Sequence, residues 1–231
     1  MKIGNPQTPY RQALSIEQAY EGIISAIENA KDLLAEANLL LENQHWARAC
    51  ALAILAIEET GKEGVIFRIL LADDEKELKS EWKLYRDHRF KNLSWIIPRL
   101  LDLGIIKREE LRHFFASNRR EHTFYLDRLK QKSFYSDITS DGVWRSPKYC
   151  ITEDQARAII SAAKDVVGSA PGPLSTREGL ELWVKHLKTI NKDNQSDWDE
   201  AFWNCFMEAK SRGLWDEEEL ELFLGKYFRK S

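Results

Sequence analysis

Two glutamates and a lysine, Glu58, Glu59 and Lys62, follow directly on the apolar run 51–57, so ionisable groups begin where a helix is most deeply buried. A carboxylate so placed is costly unless it is paired. Glu58 and Lys62 stand four residues apart with Glu N-terminal, the favoured order for a helical ion pair, and a half-buried Glu58–Lys62 pair is expected. Such a pair either fixes helix register or orients a base or holds an anion. Further along, Leu84, His88, Lys91 and Trp95 share one helical face, with Arg86 and Arg89 beside it. An imidazole and an ammonium one turn apart can bind and protonate a phosphate. Arg119, Arg120, Glu121, His122 and Tyr125 form a second group of this kind. Glu58, Lys62, His88 and Lys91 are therefore the candidate catalytic residues, with Glu59, Arg86, Arg89, Arg119 and His122 as candidate binding residues. Metal chemistry has less support. Glu42-x-x-His45 and Glu110-x-x-His113 match the pattern of a di-iron bundle, but the first pair falls where the apolar stripe is interrupted. Gly61-Lys62 is not a phosphate loop, because Ala56 stands where that motif needs Gly and Glu63 where it needs Ser or Thr. Neither a metal nor a cofactor is expected.

The elements that must position these groups read as helices. Ser15 is a plausible cap for a helix in which Ile16, Ala19, Tyr20, Ile23, Ile27, Ala30, Leu34, Ala37 and Leu41 recur at steps of three and four. A second helix opens at Trp46, is apolar on almost every side and extends its stripe to Ile69, which places it in the middle of a core. Residues 77–101 and 108 to about 132 read as two more, separated at Gly104, and four helices suggest an antiparallel bundle. Residues 133–151 change character and predict an irregular loop or short hairpin, long for a passive connection. Thr152 opens another helix to about residue 167, and 168–173 is the clearest linker. Beyond it lie four of the eight tryptophans, on what read as three short helices, forming either an aromatic core or a partner-binding face. The fold class is all-α. The expected division is an N-terminal loose arm over 1–15, a helical domain over 16–168 and a Trp-rich acidic module over 174–231.

Charge narrows the functional classes. The 231 residues carry a net charge of only −3, which excludes a chain that is basic throughout and binds nucleic acid as a polyelectrolyte. The sum hides an asymmetry. Residues 79–132 hold 14 Lys or Arg against 7 Asp or Glu, while 193–222 hold 10 acidic against 2 basic residues. Three scattered cysteines supply neither a disulfide framework nor a zinc ribbon. No stretch approaches the roughly 18–20 apolar residues of a membrane span, and the first 15 residues lack the core of a signal peptide. A cytoplasmic protein with no membrane partner is expected.

Taken in order, the segments Asn29-Ala30 and Leu33-Leu34, Ala56-Ile57-Glu58-Glu59-Thr60-Gly61-Lys62, His88-Arg89-Phe90-Lys91, Phe134-Tyr135-Ser136-Asp137 and Gly142-Val143-Trp144-Arg145-Ser146-Pro147 form a recognisable set. Over residues 13–168 the sequence resembles the AbiV family of bacterial abortive infection proteins. The resemblance implies a helical fold of the HEPN type, a role in phage resistance in which infected cells stop growing, and a homodimer that a phage-encoded protein can engage. It also implies that Tyr135 and Asp137 pack over the central groove as binding residues. Tyr125 and Asp127 form a near-copy earlier in the chain, but Trp144 and Pro147 follow the later one. Many HEPN proteins are metal-independent ribonucleases with an R-x-x-x-x-H-like motif, whose Arg holds the scissile phosphate and whose His acts as acid or base. Here the one such spacing runs from Arg108 to His113, with Glu109 where that motif usually has Asn, Asp or His. The expectation is an antiviral effector acting on RNA or the translation machinery. The competing expectation is a non-catalytic interaction protein that captures a phage or ribosomal partner.

Overall fold

A computed structural model describes residues 9–87, 119–172, 174–188, 190–191, 194–216 and 218, and helices dominate them. Helix α1 (Ile16–Glu42) opens with a capping box: the Ser15 hydroxyl accepts from the Gln18 amide, and the Gln18 side chain accepts from the Ser15 N–H. Its Ala19, Ile23, Ala26, Ile27, Ala30 and Ala37 are buried along one face. A short turn with Gln44 at φ 61° leads to α2 (Trp46–Thr60), whose Ala47, Ala49, Ala51, Ala53 and Ala56 are all buried. Small side chains on several sides let neighbouring helices approach α2 closely, so it becomes the centre of the bundle as its composition predicts.

The single helix expected from Trp46 to Ile69 is two. The Thr60 hydroxyl donates back to the Ala56 carbonyl, and Gly61 follows, so the helix is interrupted before α3 (Lys62–Leu70) begins. Helix α4 (Glu75–Arg86) is capped by Asp74 and stops at Arg86, because Asp87 leaves the helical region with ψ 108°. A continuous helix over 77–101 is thereby corrected, and residues 88–118 lie outside the described residues. Residues 9–14 are less loose than expected. Tyr10 meets Trp82 edge-on, and the Trp82 indole donates to the Gln12 carbonyl at 3.0 Å, which pins the arm to α4.

Helix α5 (Arg119–Phe134) runs into the expected hairpin, in which β1 (Asp137–Ile138) pairs antiparallel with β2 (Trp144–Arg145), Ile138 facing Trp144. A 3-10 turn over Pro147–Tyr149 then leads to α6 (Glu153–Gly168). Helices α1, α5 and α6 all pack on α2. Helix α6 has its own capping box, from Thr152 and Gln155. Thr152→Ala removes the acceptor for the Gln155 amide and is expected to cost about 1 kcal/mol. Thermal circular dichroism should register that as a fall of about 2–4 °C in Tm.

Helices α7 (Arg177–Leu187) and α8 (Gln195–Ser211) are docked on the bundle. Leu180 is buried with Ile23, Ile27, Ile66 and Leu70, and Trp183 packs on Phe67 of α3. Polar contacts frame this apolar seam. Arg177 forks onto Glu17 through two hydrogen bonds of 2.6 Å while lying over the Tyr20 ring, Lys188 donates to the Leu70 carbonyl, and Glu63 accepts from the Gly172 amide and the Ser175 hydroxyl. Trp183, Trp198 and Trp215 interlock with Phe202 and Phe206, which is the aromatic-core arrangement, while Trp203 is exposed.

Glu208 ties α8 to α7 by accepting from Lys185 and His186 at 2.6 Å each, and it also holds Arg212. Hydrogen bonds from Lys185 and His186 hold its carboxyl down at about 2. A depressed folded-state value stabilises the fold above the ordinary carboxylate range and loses that contribution as pH falls towards 2. Acid titration should therefore show wild type more stable than Glu208→Gln at pH 6, with the gap closing between about 4.5 and 2. A gap that stays constant across this window would contradict the cluster.

Candidate functional site

Glu58 finds its partner across the bundle, not along its own helix. Its carboxylate lies 2.5 Å from the Lys130 ammonium of α5, with the two residues 2% and 6% exposed. Lys130 also approaches Asp127 at 3.4 Å, and that side chain is partly open to solvent. The expected Glu58–Lys62 pair is therefore corrected. Beyond the interruption at Gly61, Lys62 pairs with Glu59 at 2.6 Å instead, and its ammonium lies 5.8 Å from the centre of the Tyr85 ring on α4. Glu59 and Lys62, each about one-fifth exposed, form the pair that reaches solvent beside α4.

The α2–α5 seam extends from Glu58 towards the hairpin. Ile54 and Cys50 pack against Leu126 and Leu129, and Arg48 donates to the carbonyls of Ser133 and Phe134 at the end of α5. This arrangement caps otherwise unpaired carbonyls with a cation where the helix dipole favours one. Burial pushes the Cys50 thiol up to about 11, against an opposing hydrogen bond with Ser133, so it is not an activated nucleophile.

Tyr135 and Asp137 are both exposed, just past the end of α5 and in β1. Arg48, which touches the end of α5, is ten residues before Glu58 in sequence, about 15 Å along a helix. Tyr135 stands exposed there, and the Asp137 carboxylate accepts from the next amide, that of Ile138. The chain then reverses in the hairpin, with Asp137 opposite Arg145. Arg86 is exposed in the last turn of α4. His88, Arg89, Lys91, Arg108 and His113 lie outside the described residues, as do the side chains of Arg119 and His122. Glu42 ends α1 and His45 precedes α2, so this E-x-x-H pair straddles a turn. Among the described residues, no group of three or more His, Cys, Asp or Glu side chains could hold a metal ion.

Lys130 is the residue that the sequence reading missed. Leu126, Leu129 and Ser133 mark the buried face of α5, and Lys130 falls among them at steps of four, one and three, a cation where the pattern calls for an apolar group. That anomaly was the available signal, hidden by the many other cations of the segment.

The HEPN_AbiV family model, described as AbiV, matches residues 18–168, well over half of the chain. The chain belongs to the AbiV family. No curated protein and no solved structure matches it. Membership places this AbiV chain in phage defence by abortive infection, and its helical bundle, with one small hairpin among the described residues, is the HEPN-like, all-α architecture. The AbiV match runs from α1 through α6 and takes in the Glu58–Lys130 seam, the Glu59–Lys62 pair and the hairpin, leaving α7 and α8 beyond it. Within the described residues of this AbiV chain, no helix is long and apolar enough to cross a membrane.

Proposed function

We propose that this AbiV-family chain halts growth or translation of phage-infected bacterial cells by acting on RNA or on the translation machinery. The family match over residues 18–168 carries the reading. The Glu59–Lys62 pair beside Tyr85 reaches solvent, and α4, which bears Tyr85, leads in sequence to His88 and Lys91. An ammonium there would hold a phosphate, and an imidazole would move the proton. The buried Glu58–Lys130 pair would brace the helices behind it. A homodimer and a phage-encoded protein activator belong to the same proposal, as does a cytoplasmic site of action.

Cleavage of total bacterial RNA by the purified protein in excess chelator, beside Lys62→Ala and His88→Ala variants checked for folding, tests the enzymatic form. Cleavage by wild type that falls roughly a hundredfold in the variants is expected, within the usual range for an acid–base group. Cleavage undiminished in both would remove this site. The second reading, a non-catalytic protein that captures a phage or ribosomal partner, is favoured by the mutual satisfaction of Glu58 and Lys130. It predicts infection-dependent arrest with no RNA cleavage even in the presence of phage extract.

A further inference from the structure

Helix α5 has two unlike faces. Leu126, Leu129, Lys130 and Ser133 turn inward, whereas Tyr125, Arg128, Lys132 and Tyr135, at steps of three, four and three, form an exposed stripe. The stripe places two cations between two aromatic rings. It runs directly into the hairpin, where Trp144 is 71% exposed, and the following 3-10 turn carries Tyr149, 77% exposed, with the Lys148 ammonium over its ring. Tyr135, at their junction, is 63% exposed. Large aromatic groups are normally the first to be buried, and several left open along one path mark a binding surface.

The charges on this path select its occupant. Asp127 is engaged by Lys130, Asp141 by Arg145 together with Thr139 and the Val143 amide, and Asp137 by the amide of Ile138. Arg128, Lys132 and Lys148 have no carboxylate partner among the described residues. Open cations interleaved with open aromatic rings suit a polymer that is anionic along its backbone and presents flat rings. That polymer is single-stranded nucleic acid, whose bases stack on aromatic side chains while its phosphates meet Lys and Arg. The hairpin is held ready for it. Hydrogen bonds from Thr139, Arg145 and the Val143 amide clamp Asp141 and keep its carboxyl near 2, and Gly142 turns the chain at φ 76°.

We infer that the exposed stripe of α5 and the adjoining hairpin form a stacking platform for single-stranded nucleic acid, with Tyr125, Tyr135, Trp144 and Tyr149 receiving bases and Arg128 and Lys132 receiving phosphates. This rests on the RNA reading above and supplies that reading with a binding surface and a strand preference.

Fluorescence anisotropy of labelled oligo(U), oligo(dT) and a duplex of equal length, titrated with the full chain over a range of salt, tests it. Both single strands, or one of them, should bind more tightly than duplex. Tyr135→Ala and Trp144→Ala should each weaken single-strand binding roughly tenfold, and Tyr135→Phe and Trp144→Phe should retain it. Arg128→Ala and Lys132→Ala should each lower the log–log salt slope by about 0.7. These side chains are exposed, and melting curves confirm that the variants fold. Single strands that do not bind at low salt, or alanine variants that bind as wild type does, overturn the platform. Loss of self-association in sedimentation by the same variants, without nucleic-acid binding, would make the face a protein contact and equally overturn it. Infection is scored separately. A chain that arrests infected cells but ignores oligonucleotides loses the platform and keeps its defence role, whereas a chain that binds them through this face yet arrests nothing loses the role and keeps the platform.

Discussion

Lys130→Met is expected to lower the free energy of unfolding by about 3–5 kcal/mol, measured by urea denaturation at neutral pH. The loss comes less from the missing attraction than from what remains: a Glu58 carboxylate 2% exposed, with an apolar thioether where the Lys130 ammonium stood. Against a typical stability of about 5–15 kcal/mol, this would bring a large unfolded fraction into reach. The double variant Glu58→Leu/Lys130→Met removes both charges and their desolvation penalty together, and should recover a large part of that loss. Asp127, partly in water, needs no buried partner to remain solvated. If the single variant lost under about 1 kcal/mol, the pair could not be desolvated as the geometry has it.

Gly179→Ala should act as strongly at the other end of the molecule. A Cβ at Gly179 would stand 2.4 Å from the Leu174 carbonyl oxygen and 2.7 Å from the carbonyl carbon and Cα of the same residue. These are backbone atoms that cannot swing aside as a side chain would, and Leu174 is itself anchored in the aromatic cluster with Leu182 and Phe206. The overlap is expected to cost about 3 kcal/mol, the upper end of overpacking penalties, and to fall on the docking of α7 and α8. Limited proteolysis should then cut beyond residue 174 much faster than in wild type while α1 to α6 persist. Gly168→Ala, with nothing within 4 Å of the added carbon, is the control and should be neutral or slightly stabilising.

Features carried by neighbouring residues were legible in the sequence. Ser15 as the cap of α1 and Thr152 at the head of α6 follow from side chains bonding to amides three residues on, and the hairpin from a turn that needs Gly142. Two breaks were not legible, because the residues around them continue to favour helix. Gly61 could have been tolerated within one long helix, and nothing in the sequence around Asp87 requires α4 to end there. The site suffered most from this. Helical spacing alone ranks Lys62 as the partner of Glu58, and only packing of α2 on α5 brings up Lys130, 72 residues away. The general placement of charge beside a buried core was readable, whereas the identity of its partner is a property of the fold. In the same way, Tyr135 was readable as part of a motif, but its exposure depends on the chain reversing just beyond it.

The joints that bypass the 168–173 linker have a consequence for the chain as a covalent object. Arg177 on Glu17, Trp183 on Phe67 and Lys188 on the Leu70 carbonyl all lie beyond that linker, and none of them depends on the peptide bonds within it. A protease nick there would leave two fragments gripping one another, so the polypeptide would run as two bands in denaturing gel while still eluting as one particle. Severing the thread and separating the pieces are thus distinct events in this protein, and only the second would uncover Phe67 and the α1–α3 face that α7 now occupies.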